Sequence, residues 1–147
     1  MYQRILVAID GSDTARRGLE EAIRLAQAGG GRLLLVHVIE EPLPLMVNGD
    51  WSLPGLPLTA WREAGERLLD AALAQCRQAG VEAETRLIEA GGRRIGPLIA
   101  ETAVDWQAEL IVLGTHGRRG LDRLLLGSVA EGIIRTTRTP VLLLPPA

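Results

Sequence analysis

The sequence predicts an α/β fold, a single open, doubly wound, parallel sheet of five strands with helices on both faces. Three observations carry that expectation. Apolar runs of strand length alternate with segments whose apolar residues recur every three or four positions, in the order β-α-β-α-β-α-β-α-β. Three runs, Ile5 to Ile9, Leu33 to Ile39 and Leu110 to Leu113, are almost wholly apolar, as strands covered on both faces are. A fourth, Val81 to Leu87, alternates apolar with polar residues and so belongs near a sheet edge.

Each element follows from local chemistry. Strand Ile5 to Ile9 runs into Asp10-Gly11-Ser12-Asp13, a turn with a helix-capping residue. Ala15, Leu19, Ala22, Ile23 and Ala26 then mark a helix over about 14–28, ended by Gly29-Gly30-Gly31 because glycine accepts the left-handed cap. After the strand Leu33 to Ile39, residues 40–58 carry proline and glycine without clear periodicity and are read as a long loop. Loops of that length are functional lids or mobile. Its Met46, Trp51, Leu53 and Leu56 are too apolar for idle solvent contact, and suit a cover over a ligand or an adjoining subunit. A second helix is expected over about 59–79, and a third is marked by Ile95, Leu98, Ile99, Thr102 and Trp106. A fourth is marked by Leu126, Val129, Ala130 and Ile133, and Val141 to Leu144 is a last strand between prolines.

Composition narrows the function. The chain has 147 residues, the size of one domain, expected to span 1–147. Folding at this length buries roughly 68–70% of the unfolded surface, enough for a core without staples. One cysteine, Cys76, forbids an internal disulfide, and Met1 runs into a strand with no charged-then-apolar leader, so a cytoplasmic location is expected. The apolar runs fall far short of the roughly 20 residues that cross a bilayer, and no membrane partner is expected. All 16 basic residues are arginine. Without lysine there is no Walker A loop, no protein-kinase lysine and no Schiff base. A net charge of −2 and 3% aromatic residues argue against nucleic acid as a partner.

A parallel sheet of this kind, Rossmann-like with order 3-2-1-4-5, opens a crevice where the chain reverses between strands 1 and 4, at their carboxyl ends. The residues there are Asp10-Gly11-Ser12 and Gly114-Thr115-His116-Gly117. Gly114, Gly117 and Gly127-Ser128 are spaced as G, two residues, G, nine residues, G-Ser. Gly114 ends a strand and lets a flat ligand lie on backbone, while Gly117 suits a positive φ with its N–H turned inward. Gly127-Ser128 opens the fourth helix, whose unpaired N–H groups and positive dipole end favour phosphate. Arg118, Arg119 and Arg123 either add cationic charge to this cradle or stand as solvated loop charges.

These blocks resemble the universal stress protein family over essentially the whole chain. The resemblance rests on Ile5-Leu6-Val7-Ala8-Ile9-Asp10-Gly11-Ser12, on Leu35-Val36-His37-Val38, and on Gly114-Thr115-His116-Gly117 through Leu125-Leu126-Gly127-Ser128-Val129-Ala130. It implies the branch that binds ATP, alone or with Mg2+ or Mn2+. Position by position, Asp10 would lie beside the ribose or the metal-phosphate region, the Val38 backbone would meet the adenine, and Ala8 would wall the pocket. Leu113 and Gly114 would floor base and ribose, and Gly117, Gly127, Ser128 and Val129 would contact phosphates through backbone N–H groups and the hydroxyl. Arg118 falls in a variable stretch of the family, so its phosphate contact is an inference from charge. The family commonly forms homodimers through the last strand, here 141–144, whose unpaired backbone invites a second chain unless Pro140, Pro145 and Pro146 blunt it.

The resulting expectation is a nucleotide-dependent stress-response binding module with at most slow ATP hydrolysis. No catalytic residue is assigned: His116 has no nucleophile or orienting carboxylate beside it in sequence. His37 is read as a hydrogen-bonded core or rim residue rather than a metal ligand, and Cys76 as packing. The rival readings are an adenylating enzyme of related architecture, whose Ser-Gly-Gly-x-Asp-Ser loop is absent here, and a dimer that lost nucleotide binding.

Overall fold

The computed structural model describes residues 1–40, 45–47, 49–52, 55, 57–115 and 126–147. The chain runs β1 (Arg4–Ala8), α1 (Asp13–Gly29), β2 (Arg32–Ile39), β3 (Leu45–Val47), β4 (Asp50–Ser52), α2 (Leu58–Gln78), β5 (Ala83–Glu89), α3 (Ile95–Asp105), β6 (Leu110–Gly114), α4 (Ser128–Thr136) and β7 (Val141–Leu144). Five strands form one parallel sheet in the order β5-β2-β1-β6-β7, which is 3-2-1-4-5 when they are counted along the chain. The expected fold class is therefore present. The chain winds outward from β1 through β2 to β5, then returns across the sheet to β6 and β7, so the reversal lies between β1 and β6.

Burial follows the sequence pattern. Ile5, Leu6, Val7, Leu33, Leu34, Leu35, Ile111 and Val112 are all but inaccessible because helices cover both faces of the three central strands. Burying each contributes about 1.5–3 kcal/mol. One face carries α1 and α2 over Ile5, Val7, Leu33, Leu35 and Val112. The other carries α3 and α4 over Leu6, Leu34, Val36, Ile111 and Leu113. The half-polar strand is the edge strand β5, and β7 is the other edge.

Two expectations shift. The edge strand occupies Ala83–Glu89 rather than 81–87, because Val81 is spent on closing α2: its N–H donates to the Cys76 carbonyl at 2.9 Å and its side chain is buried. The stretch read as a structureless loop contains the antiparallel hairpin β3–β4, paired Leu45↔Ser52 through Val47↔Asp50. Three-residue strands are too short to leave a legible period. The available signal was the Asn48-Gly49 pair, a hairpin-turn dipeptide, and Gly49 has φ +84°. The expected cover by Met46, Trp51, Leu53 and Leu56 lies outside what the structure describes of the side chains.

Candidate nucleotide site

The crevice is built on the carboxyl ends of β1, β2 and β6. Past β1, Gly11 takes φ +81° and the chain turns into α1. Ser12 caps that helix, its hydroxyl accepting from Ala15 N–H at 3.2 Å. The Asp10 carboxylate closes the same turn: its Oδ1 accepts from the Ser12 N–H at 2.8 Å and from the Ser12 hydroxyl at 2.5 Å. The other oxygen, Oδ2, takes no partner among the described residues, and Asp10 is half-buried. A carboxylate held by one oxygen presents the second as a fixed acceptor.

Beside it, β6 ends at Gly114 and Thr115. A Cβ built on Gly114 would overlap the Thr14 side chain. Glycine here is thus required by the approach of α1, a reason additional to the ligand contact read from sequence. Thr115 then anchors the start of α4. Its N–H donates to the Leu144 carbonyl at 3.0 Å, and its carbonyl accepts the Gly127 N–H at 2.7 Å.

That last bond changes the donor set. The sequence reading gave Gly127 a phosphate contact through its own N–H, but this N–H is spent on Thr115. Gly127 is the N-cap of α4, without a side-chain cap, and its carbonyl takes the first helical bond, from Glu131 N–H at 3.0 Å. The N–H groups of Ser128, Val129 and Ala130 therefore have no backbone acceptor among the described residues. Sequence reasoning had not picked Ala130. The Ser128 side chain is exposed, and its hydroxyl stands on the same turn. Gly117, Arg118, Arg119, Arg123 and His116 lie outside the described residues.

An apolar ledge adjoins these polar ends. Ala8, Val38 and Val129 are partly buried against the α3/α4 cluster, and Leu113 is part of it. Ile95, read from sequence only as part of the third helix, and Ile88, just past the strand read as Val81 to Leu87, pack against the same cluster. Six elements thus contribute to one apolar cluster, with its partly buried members beside the unpaired backbone donors, and apolar packing next to a few polar groups is the composition of a small-molecule site. His37 is hydrogen-bonded at the rim, its Nδ1 2.6 Å from the Ile9 carbonyl. Among the described residues no group of three or more His, Cys, Asp or Glu is placed to hold a metal ion.

A profile of the Universal stress protein family matches residues 1–145. The chain belongs to the universal stress protein family. A relative, the universal stress protein in the QAH/OAS sulfhydrylase 3' region of Thermus aquaticus, is 36% identical over 143 residues, 97% of this chain and 98% of that one. Among solved structures, a universal stress protein family member from Burkholderia pseudomallei has a TM-score of 0.76 at 35% identity, covering 99% of this chain and 97% of that one. The universal stress protein of Archaeoglobus fulgidus in complex with dAMP has a TM-score of 0.69 at 28% identity, covering 97% and 98%.

Proposed function

We propose that this universal stress protein is a binding module for an adenine nucleotide, with ATP as its ligand, that couples occupancy to partner choice in a stress response. The observation that carries the reading is the start of α4: three N–H groups without acceptors among the described residues, no side-chain cap, and an apolar ledge alongside. A helix opening of this kind favours phosphate through its donors and its dipole. The dAMP bound to the Archaeoglobus fulgidus relative supports an adenine nucleotide. In this reading Val38 meets the base through its backbone, while Ala8, Leu113 and Gly114 line base and ribose. Asp10 Oδ2 faces the ribose or a phosphate-bound cation, and Ser128, Val129 and Ala130 hold the phosphates, with Gly127 as the cap that presents them. Gly117 and Arg118 complete the phosphate contacts.

Mg2+ or Mn2+ fits such an arrangement, since Mg2+ is commonly held by one or two carboxylates and the phosphates themselves, and Asp10 supplies one carboxylate. The cation would neutralise phosphate charge. In a chain without lysine, hydrolysis is at most slow. The module works in the cytoplasm as a homodimer through β7. The N–H groups of Pro140's successor Val141 and of Leu143 face away from β6, because the ladder runs through Pro140 and Leu144, whose carbonyls accept from Ile111 and Thr115.

Calorimetric titration with ATP tests the nucleotide reading. Saturation is expected, with a rise in melting temperature: ligand at a hundred times Kd stabilises by about 2.7 kcal/mol. A flat titration up to millimolar ATP overturns it. Sedimentation equilibrium tests the dimer. The native chain is expected at twice the monomer mass, and Leu143→Pro, which deletes an outward N–H on an edge strand, at the monomer mass.

A further inference from the structure

The β1–β2 ladder ends in an exchange of hydrogen-bond partners. The residues flanking β1 bond to even residues of β2: Arg32 N–H donates to the Gln3 carbonyl at 2.9 Å and Ile9 N–H to the Val36 carbonyl at 2.8 Å. One more step of a parallel ladder joins Val38 N–H to the Ile9 carbonyl. That bond is not made. The Ile9 carbonyl instead takes the imidazole of His37, 2.6 Å from Nδ1. A carbonyl only accepts, so Nδ1 carries the proton.

The consequence falls on Val38. Its N–H and C=O point toward the β1 side, past the last paired residues Ala8↔Val36, and neither has a partner among the described residues. Its side chain sits on the α3/α4 face with Ala8 and Leu113, while His37 sits on the opposite face under α2. Room for the ring is left by Gly65, where a Cβ would come within 2.8 Å of His37 Cδ2 and of Leu87 Cδ1.

We propose that His37 is a positioning residue for the nucleotide base: by taking the Ile9 carbonyl it replaces the Val38 amide in the ladder and leaves Val38 N–H and C=O free for a purine edge. A free N–H beside a free C=O matches adenine, which offers an acceptor at N1 and a donor at N6. Guanine reverses the pair with N1–H and O6 and leaves both groups unsatisfied. The inference rests on the nucleotide reading above and adds which side chain prepares the base edge.

The test uses the full chain, with His37→Leu and His37→Asn, titrated calorimetrically with ATP and with GTP, and amide hydrogen exchange at Val38 followed by NMR. In the native protein Val38 exchanges fast and ATP is preferred. In His37→Leu the Ile9 carbonyl recaptures Val38 N–H, exchange there slows about tenfold, and the ATP preference over GTP falls about tenfold. His37→Asn, whose amide N–H reaches the same carbonyl, restores both. Should His37→Leu fail to fold, Gly65→Ala moves the readouts the same way, since it gains helix propensity while crowding the ring. The proposal is overturned if Val38 exchanges as slowly in the native chain as in the variant, or if the nucleotide preference is unchanged throughout. If the native protein binds neither nucleotide, the nucleotide reading falls, and exchange at Val38 still decides the part played by His37.

Discussion

Thr14 stands where a side chain on residue 114 would have to go: a Cβ on Gly114 would overlap the Thr14 side chain and come within 2.9 Å of the Thr14 carbonyl carbon. Two residues a hundred positions apart thereby join the first turn of α1 to the end of β6, beneath the candidate site. Because backbone is among the atoms met, a side-chain rotation does not relieve the clash. Gly114→Ala is expected to destabilise the fold by about 1–3 kcal/mol, the cost of overpacking. Urea unfolding measures it, and an unchanged midpoint would show that α1 is not seated as described. For the same reason a loss of ATP binding in this variant says little about ligand contact.

Gly127 offers the cleaner probe. Its φ of −64° and ψ of 158° are open to any residue, so no backbone strain reserves the position for glycine. Gly127→Ala keeps the N–H that Thr115 accepts and adds only a methyl group beside the donors of α4. The expected outcome is a stability within about 0.5 kcal/mol of native and an ATP affinity lowered by about tenfold or more. Thermal melting and calorimetry separate the two effects; equal affinity would place the phosphates elsewhere.

The turn after β1 is tied by Ser12, which caps α1 and holds Asp10 by two hydrogen bonds. Ser12→Ala removes the cap and one of those bonds, at a cost of about 0.5–2 kcal/mol. It also loosens Asp10, so ATP affinity is expected to fall beyond what the loss of stability explains. Calorimetry at a temperature where the variant is fully folded reads that second effect.

Cys76 lies within the α1/α2 core, and burial pushes its thiol up from 9.0 to about 11. The unfolded chain ionises from about pH 9 while the folded chain holds its proton to about pH 11. The unfolded state therefore binds fewer protons in that window, and stability is full below pH 9 and falls as pH rises toward 11, by up to about 2–3 kcal/mol. Few other groups titrate there, since the chain has no lysine and one tyrosine. Urea midpoints between pH 8 and 10.5 are expected to fall in the native chain and to flatten in Cys76→Ala, which starts lower because of the cavity. In the folded state at pH 8 the thiol is expected to resist iodoacetamide.

How much of this was legible beforehand differs between fold and site. The doubly apolar runs at β1, β2 and β6 and the half-polar run near β5 suffice for a parallel sheet with β5 outermost, and the glycine spacing points to the end of β6. The hairpin at Leu45–Ser52 was missed because its strands are shorter than one readable period, despite Asn48-Gly49. Within the site, Asp10, Ser128 and Val129 stand at the ends where they were expected. By contrast, the engagement of the Gly127 amide and the contributions of Ile88 and Ile95 to the ledge were not foreseen.

The division has a physical cause. Apolar periodicity, caps and turn residues act over a few neighbouring positions, so sequence alone determined how the five strands of the main sheet alternate with the helices, the sheet class, the edge strand and the family. Which donor is free is decided by where one ladder stops relative to another. Ile9 meets His37 instead of Val38, and Gly127 meets Thr115, only after segments far apart in the chain are packed side by side. Those choices belong to the tertiary structure, because a hydrogen bond needs both partners in place and local sequence names only one of them.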